Sequence, residues 1–340
     1  MIQDIANSAL KPLLALLFPV YEMLHDGNSR YYWAYIVSGI ALGFLVCVLA
    51  RKDERGWSAL WQRDTWMSLS ARNDYILLVL RPFLAFTILS WCIVKIGPIA
   101  DWVAGVLRSI GVAGTVTDTT AVLYALALTV CLFVVDDFLK FIVHTAFHRF
   151  PALWEFHKVH HSAETLNFTT SERFHPFEAF LTGAVVAVGL GIVNGVFIAF
   201  AGAKLTPITI ASANIFLFTA NIFGGVLRHS PCWLAFPTWI ERWIISPAMH
   251  QIHHSAEQRH WDTNMGVTLS VWDRLFGTLL VAEGQTVKSY GIGEETPEWR
   301  SMRTILFRPF IASAAILKGT LGRRLPHTPG APKPTPARPH

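Results

Sequence analysis

The sequence predicts an all-α integral membrane protein, with about four to five transmembrane helices and a cytoplasmic helical cap that holds clustered histidines. Three observations predict it. Only 15% of the 340 residues are charged and 52% are hydrophobic, with a mean hydropathy of +0.40, whereas soluble domains average about 25% charged. Apolar runs long enough to cross a bilayer recur along the chain. Eight of the 14 histidines fall into three short clusters, the first of them at the end of one of those runs.

The runs are taken in order. Residues 33–50, WAYIVSGIALGFLVCVLA, carry no charge and stop at Arg51-Lys52. At 1.5 Å per residue this is about the minimum length for a span. Residues 75–97 form a second run, with Arg81 near one end where its charge can snorkel. Residues 121–143 form a third, interrupted by Asp136, Asp137 and Lys140. Residues 178–200 and 206–227 form a fourth and fifth, read as a helical hairpin joined by AGAKL. Residues 8–21, with Pro12 and Pro19, read as interfacial or as a broken helix. Residues 305–318 read as an interfacial helix flanked by Arg308 and Lys318.

This divides the chain into an N-terminal membrane region (1–110), a catalytic domain (111–300), an interfacial helix (301–321) and a Pro-rich tail (322–340) expected to be disordered. The stretch 51–74 has the basic residues Arg51, Lys52, Arg55, Arg63 and Arg72, whereas 98–120 has only Arg108. The positive-inside rule places the first in the cytoplasm and the second outside. Counting spans onward puts 144–177 and 228–304 inside, so the histidine clusters share the cytoplasmic face of the membrane. A bacterial-type inner membrane or one like the endoplasmic reticulum fits this. The first ten residues lack the pattern of a secretory leader.

The net charge of +5 does not imply nucleic acid, because the basic residues are scattered and form no stripe. Cys47, Cys92, Cys131 and Cys232 lie far apart and suggest neither disulfides nor a thiolate metal site.

The histidines carry the chemistry. His144 and His148 are spaced i, i+4. His157, His160 and His161 form His-x-x-His-His, and His250, His253 and His254 repeat it. Residues at i, i+3 and i+4 share one helix face, so their imidazoles can converge on an ion. Ser246-Pro247 and Pro151 supply helix starts just upstream. A lone histidine usually binds nothing, but eight imidazoles gathered beside a bilayer need a partner. They exceed what one tetrahedral zinc uses and suit two ions. Imidazole alone does not select among zinc, copper, iron and nickel.

The clusters and the spans between them resemble the fatty acid hydroxylase/sterol desaturase superfamily of membrane enzymes with a histidine-ligated di-iron centre. The resemblance extends to Asp137-Phe138 before His144 and His148, to Arg173-Phe174-His175-Pro176 with Glu178, and to His229-Ser230. It closes with Asn264-Met265-Gly266 and with Trp272-Asp273-Arg274-Leu275-Phe276-Gly277-Thr278. It covers roughly residues 120–280. Thr145 departs from it, standing where Arg commonly follows the first histidine.

The resemblance implies two iron ions, with O2 as co-substrate. The eight cluster histidines and His229 are the expected ligands. His175 and Asn264 are weaker candidates. Asp137 is seven residues before His144, on the same helix face, and is expected to support a ligating imidazole through its other ring N–H. The implied reaction is hydroxylation or desaturation of a lipid from the bilayer, such as a sterol, fatty acyl chain or ether lipid. Electrons would come from a separate ferredoxin- or cytochrome-type donor. Two other readings are a membrane zinc hydrolase, with Glu155 or Glu164 as base, and a metal transporter or sensor, with Asp136, Asp137 and Lys140 in its path.

Overall fold

In the computed structural model the described residues are 21, 24–29, 31–50, 62–87, 94–202 and 204–319, excluding the side chains of 46–50, 81–87 and 118. The expectations for 8–20, Arg81 and 322–340 lie outside them.

The described residues are mostly helical. Helix α1 spans Trp33–Ala50, α2 Arg63–Met67, α3 Leu69–Thr87 and α4 Ile96–Ser109. Helix α5, Asp118–Arg149, begins with a capping box between Thr117 and Thr120. It ends where Pro151 follows Phe150. Proline disfavours helical geometry in the residue before it but suits a first helical position, so the chain breaks there and restarts as α6, Pro151–His161. Helix α7, Pro176–Ala201, begins at His175-Pro176 and stops at Gly202, whose φ of 73° is left-handed. A two-strand hairpin follows (β1 Thr209–Ile210, β2 Ala213–Asn214), then α8 Ile215–Ile222, α9 Thr238–Glu241, α10 Pro247–His253, α11 Val271–Phe276 and α12 Met302–Leu317.

Among the described residues two helices are long and apolar enough to cross a membrane, Thr119–Arg149 and Pro176–Ala201, and most of their surface is not buried within the protein. They run antiparallel, and at one end Gly114 and Val116 donate to the carbonyls of Ala199 and Ala201. The histidines lie at the opposite end. Residues 70–74 are at that end too, where Asp74 pairs with Arg173 at 2.8 Å.

One expectation fails. Residues 206–227 are not one helix. Ile208 N–H and the Asn214 side-chain amide both bond Thr129, at 2.8 Å each. Thr129 lies 13 residues into α5 beyond Val116, about 20 Å along its axis. The returning chain therefore covers that distance without forming a helix and turns at Ala211 and Ser212, both at positive φ. Only then does it form the eight-residue α8, about 12 Å long. Thr206, Pro207, Thr209, Ser212 and Asn214 interrupt the apolar run. Their backbone is tolerable at this depth because protein groups satisfy it.

The stretch 98–120 contains most of helix α4. Helix α4 lies along the outer half of α7, packed on the buried small residues Ala187, Gly191, Gly195 and Ala199 and contributing Ala100 and Ala104. Spacing by four places these small side chains on one ridge, which lets the helices approach closely. A Cβ on Gly191 would lie 2.7 Å from Ile99, and one on Gly195 2.6 Å from Val103. Gly195→Leu is expected to lower stability by about 1–3 kcal/mol through overpacking. Thermal unfolding in detergent would show this, and an unchanged transition would remove α4 from that contact.

Away from the spans, the histidine helices rest on small apolar cores. Ile245, Ala248, Met249, Ile252 and Ala282 back α10, while Leu77, Val159, Trp299 and Ile305 tie α6 to α3 and α12. Arg173 is buried with Asp74 and also donates to the carbonyls of Val159 and Ser70 and to Ser162 Oγ. This clamp pins the last turn of α6 to the start of α3.

Candidate metal centre

Nine histidines converge into two adjacent groups. His144, His148, His157, His161 and His253 form one, and His160, His229, His250 and His254 the other. Within each group the candidate ligand atoms all lie within 4.8 Å of one another. The i, i+3, i+4 spacing has a consequence that the motif does not reveal. His157 and His161 of α6 enter the first group, while His160 enters the second. In the 250–254 cluster, His253 enters the first, while His250 and His254 enter the second.

The hydrogen bonds fix which nitrogen faces inward. His144 Nδ1 donates to the Met265 carbonyl at 2.7 Å, His253 Nδ1 to the Thr263 carbonyl at 2.8 Å, and His157 Nδ1 to Glu178 Oε1 at 2.6 Å. A neutral imidazole carries one N–H, so each of these rings presents a bare Nε2 lone pair. The Nε2 atoms of His144 and His157 nevertheless face each other at 3.1 Å. Two lone pairs that close repel unless a cation sits between them. The Nε2 atoms of His148, His161 and His253 are buried with no protein partner. In the second group, His229 Nε2 lies 3.3, 3.2 and 3.0 Å from the Nε2 atoms of His160, His254 and His250. Such spacing suits nitrogens sharing one ion at bonds of about 2.0–2.1 Å. The donor set thus fits metal in both groups.

Burial pushes His157, His160, His161, His250 and His254 well below the ordinary imidazole value, and neighbouring imidazoles push them further. Burial lowers His253 to about 3, helped by His144 and opposed by its bond to Thr263. Neutral rings are the form that binds metal. The unfolded chain takes up protons on these rings below about pH 6.5, and the folded chain does not. Their stabilising effect is therefore present above that pH and is lost as pH falls towards the folded values. Metal-free protein is expected to melt progressively lower between pH 7 and pH 5 in detergent. A flat profile there would contradict the neutral, buried state.

Three expected site residues lie elsewhere. His175 caps α7, its Nδ1 accepting from Phe177 N–H and its Nε2–H donating to the Leu306 carbonyl, so neither nitrogen is free for metal. Burial lowers it to about 4. Asn264 donates to the Met249 and Leu280 carbonyls and accepts from Leu280 N–H. It is a loop anchor with φ 54°. Asp137 touches no histidine. It accepts from Thr268 N–H, Leu269 N–H and the Trp272 indole, so it acts one step back, on the loop that presents Met265. His260 also stands outside both groups, facing Gln285 at 3.3 Å.

Asp262 lies 3.5 Å from His148 Nδ1, and the carboxylate that bonds a ring closely is Glu178. Its signal was an acid in the first turn of the helix opened by His175-Pro176. The carbonyls of Thr263 and Met265 left no signal, because any residue supplies them. Phe174 stacks on His160 at 4.2 Å, and Trp154 lies 5.1, 6.0 and 5.4 Å from the rings of His148, His157 and His161.

Fold and centre together define a class, a helical membrane protein with a buried polyhistidine metal-binding centre. Residues 129–278 match the family model described as fatty acid hydroxylase. The match covers under half of the chain and supports the resemblance to the fatty acid hydroxylase superfamily for this region. It is similar to an alkylglycerol monooxygenase of Caenorhabditis elegans, 27% identical over 162 residues, which are 48% of this chain and 28% of that protein. It is also similar to the ornithine lipid hydroxylase OlsE of Rhizobium tropici, 27% identical over 145 residues, 43% of this chain and 39% of that one. An alkylglycerol monooxygenase of Xenopus tropicalis is 24% identical over 155 residues, 42% of this chain and 28% of that protein. The chain thus aligns with well under half the length of each. No solved structure matches it.

Proposed function

We propose that this chain is a membrane-bound, di-iron, O2-dependent oxidoreductase that hydroxylates or desaturates a lipid. The observation that carries the proposal is the pair of adjacent histidine groups, within each of which the candidate ligand atoms lie within 4.8 Å of one another. His144, His148, His157, His161 and His253 would hold one iron, and His160, His229, His250 and His254 the other. Iron so held supplies activation of dioxygen for attack on an unactivated C–H bond.

The protein's part is position and exclusion of water. Glu178 and the carbonyls of Thr263 and Met265 orient three rings. Phe174 and Trp154 cover others with apolar surface. A lipid drawn from the bilayer would reach the centre along the membrane-facing side of α5, where Val122, Leu126 and Val130 are exposed. A ferredoxin- or cytochrome-type donor would supply electrons from the cytoplasmic face. The names of the relatives favour hydroxylation of a glycerol ether lipid or an amino-acid lipid.

Neither alternative gains support from the acids it needs. Glu155 is buried against Lys158 at 2.7 Å, and Glu164 pairs with Arg300 at 2.6 Å, so neither is poised as a hydrolytic base. Asp136 pairs with Lys140, and Asp137 is locked to its loop.

Comparative lipid profiling of cells with and without the gene, joined to metal analysis and oxygen uptake of the purified protein, tests the reading. It expects iron, oxygen consumption and a lipid that gains one oxygen atom or loses two hydrogens. Firmly held zinc with no oxygen uptake and an unchanged lipid profile would overturn it.

A further inference from the structure

The cap has a second face that the metal centre does not use. Helices α9 and α11 are held together because Ile244 bridges Leu269 and Ser270 N–H donates to the Trp243 carbonyl at 3.0 Å. Their outer side exposes Trp239, Trp243, Ile244, Leu275 and Phe276, each between 39% and 71% accessible. Arg242 and Arg274 are exposed among them, and the Arg274 guanidinium lies 5.2 Å from the Trp243 ring. The acids of these two helices, Glu241 and Asp273, are buried. At the edge, exposed Glu283 accepts from Thr238 Oγ1 at 2.6 Å. The face is therefore aromatic and cationic, and large exposed apolar patches mark contact sites.

Its position along α5 indicates what covers it. Trp272 packs on Phe138 at 4.9 Å and Phe276 on Phe141 at 5.2 Å. Helix α5 has 32 residues, about 48 Å at 1.5 Å per residue, while the hydrocarbon layer is about 30 Å thick. Its histidine end must project beyond that layer. Asp136, Asp137 and Lys140 are the first charges met on the way out, which puts Phe138 and Phe141 at the headgroup level. Tryptophan favours that level, and arginine there meets lipid phosphate.

We propose that Trp239, Trp243, Leu275 and Phe276 insert into the headgroup region of the leaflet on the histidine side, and that Arg242 and Arg274 bind the phosphates of anionic phospholipids there. The occupant follows from the continuity of this face with the membrane-facing side of α5 and from its charge. The proposal rests on the membrane reading of α5 and is independent of the metal chemistry.

Hydrogen exchange of the full chain in nanodiscs tests it, comparing phosphatidylcholine alone with a mixture containing phosphatidylglycerol. Residues 237–244 and 270–277 should exchange several-fold more slowly with phosphatidylglycerol present, and Arg242→Gln combined with Arg274→Gln should remove the difference without changing metal content. Equal exchange of the wild-type chain in both lipids would overturn the proposal, as would a difference that persists in the double variant. Insertion is read separately by brominated acyl chains. Trp239→Phe with Trp243→Phe should reduce the quenchable tryptophan fluorescence, and an unchanged quenchable fraction would overturn it.

Discussion

His160→Ala and His253→Ala are each expected to reduce lipid oxidation below detection while the chain still inserts into membranes. The two substitutions strike different groups. His160 Nε2 is one of the three nitrogens around His229 Nε2, and His253 Nε2 is one of the buried, unpartnered atoms of the five-histidine group. Each variant should therefore lose metal from one group and retain it in the other. Neither ring bridges secondary elements through a strong structural bond except His253, whose Nδ1 meets Thr263, so insertion and helix content should be preserved. Metal analysis beside an oxidation assay checks this. Full activity in either variant, or unchanged metal in both, would count decisively against the assignment.

Arg173→Ala should destabilise the protein by about 3–5 kcal/mol, the range for stranding one member of a buried ion pair. Arg173 and Asp74 are 1% and 0% exposed. Removing the guanidinium leaves the Asp74 carboxylate without its cation and also frees the Val159 and Ser70 carbonyls and Ser162 Oγ. The last turn of α6, which bears His160 and His161, would loosen, so metal retention should fall with stability. Replacing both partners with apolar residues, Arg173→Met with Asp74→Leu, should recover part of the loss, because the uncompensated charge is then gone. Denaturant unfolding in detergent measures both variants. A single variant as stable as the wild type would show that the clamp contributes nothing.

The histidine centre was legible because its signal is a helical spacing, and local spacing survives folding. His144 to His148, both His-x-x-His-His clusters and His229 all arrive together. The allocation of each ring to one group or the other was not legible, since it depends on how α6, α10 and the 225–229 turn face one another. Asp137 shares a helix face with His144, but the loop carrying Thr268, Leu269 and Trp272 reaches its oxygens first. Hydropathy found the two long helices. It overreached at 206–227, where an apolar average hides Asn214 and the turn before it, and it missed α4, whose Gly97, Pro98, Asp101 and Gly105 break the run. The residues of α4 that seat it against Gly191 and Gly195 are instead the buried Ala100 and Ala104, with Ile99 and Val103.

Both His-x-x-His-His helices serve both groups at once. Helix pitch then acts as a ruler that sets the offset between the two groups, and no rotation or shift of α6 or α10 as a whole can adjust one group without moving the other. Inserting a single residue ahead of His157 would turn every ring behind it by about 100° and empty both groups together. A four-residue insertion, just over one turn, would nearly restore the facing and fail only by displacement along the axis. The motif is in this sense a mechanical gauge, and its tolerance is measured in fractions of a helical turn.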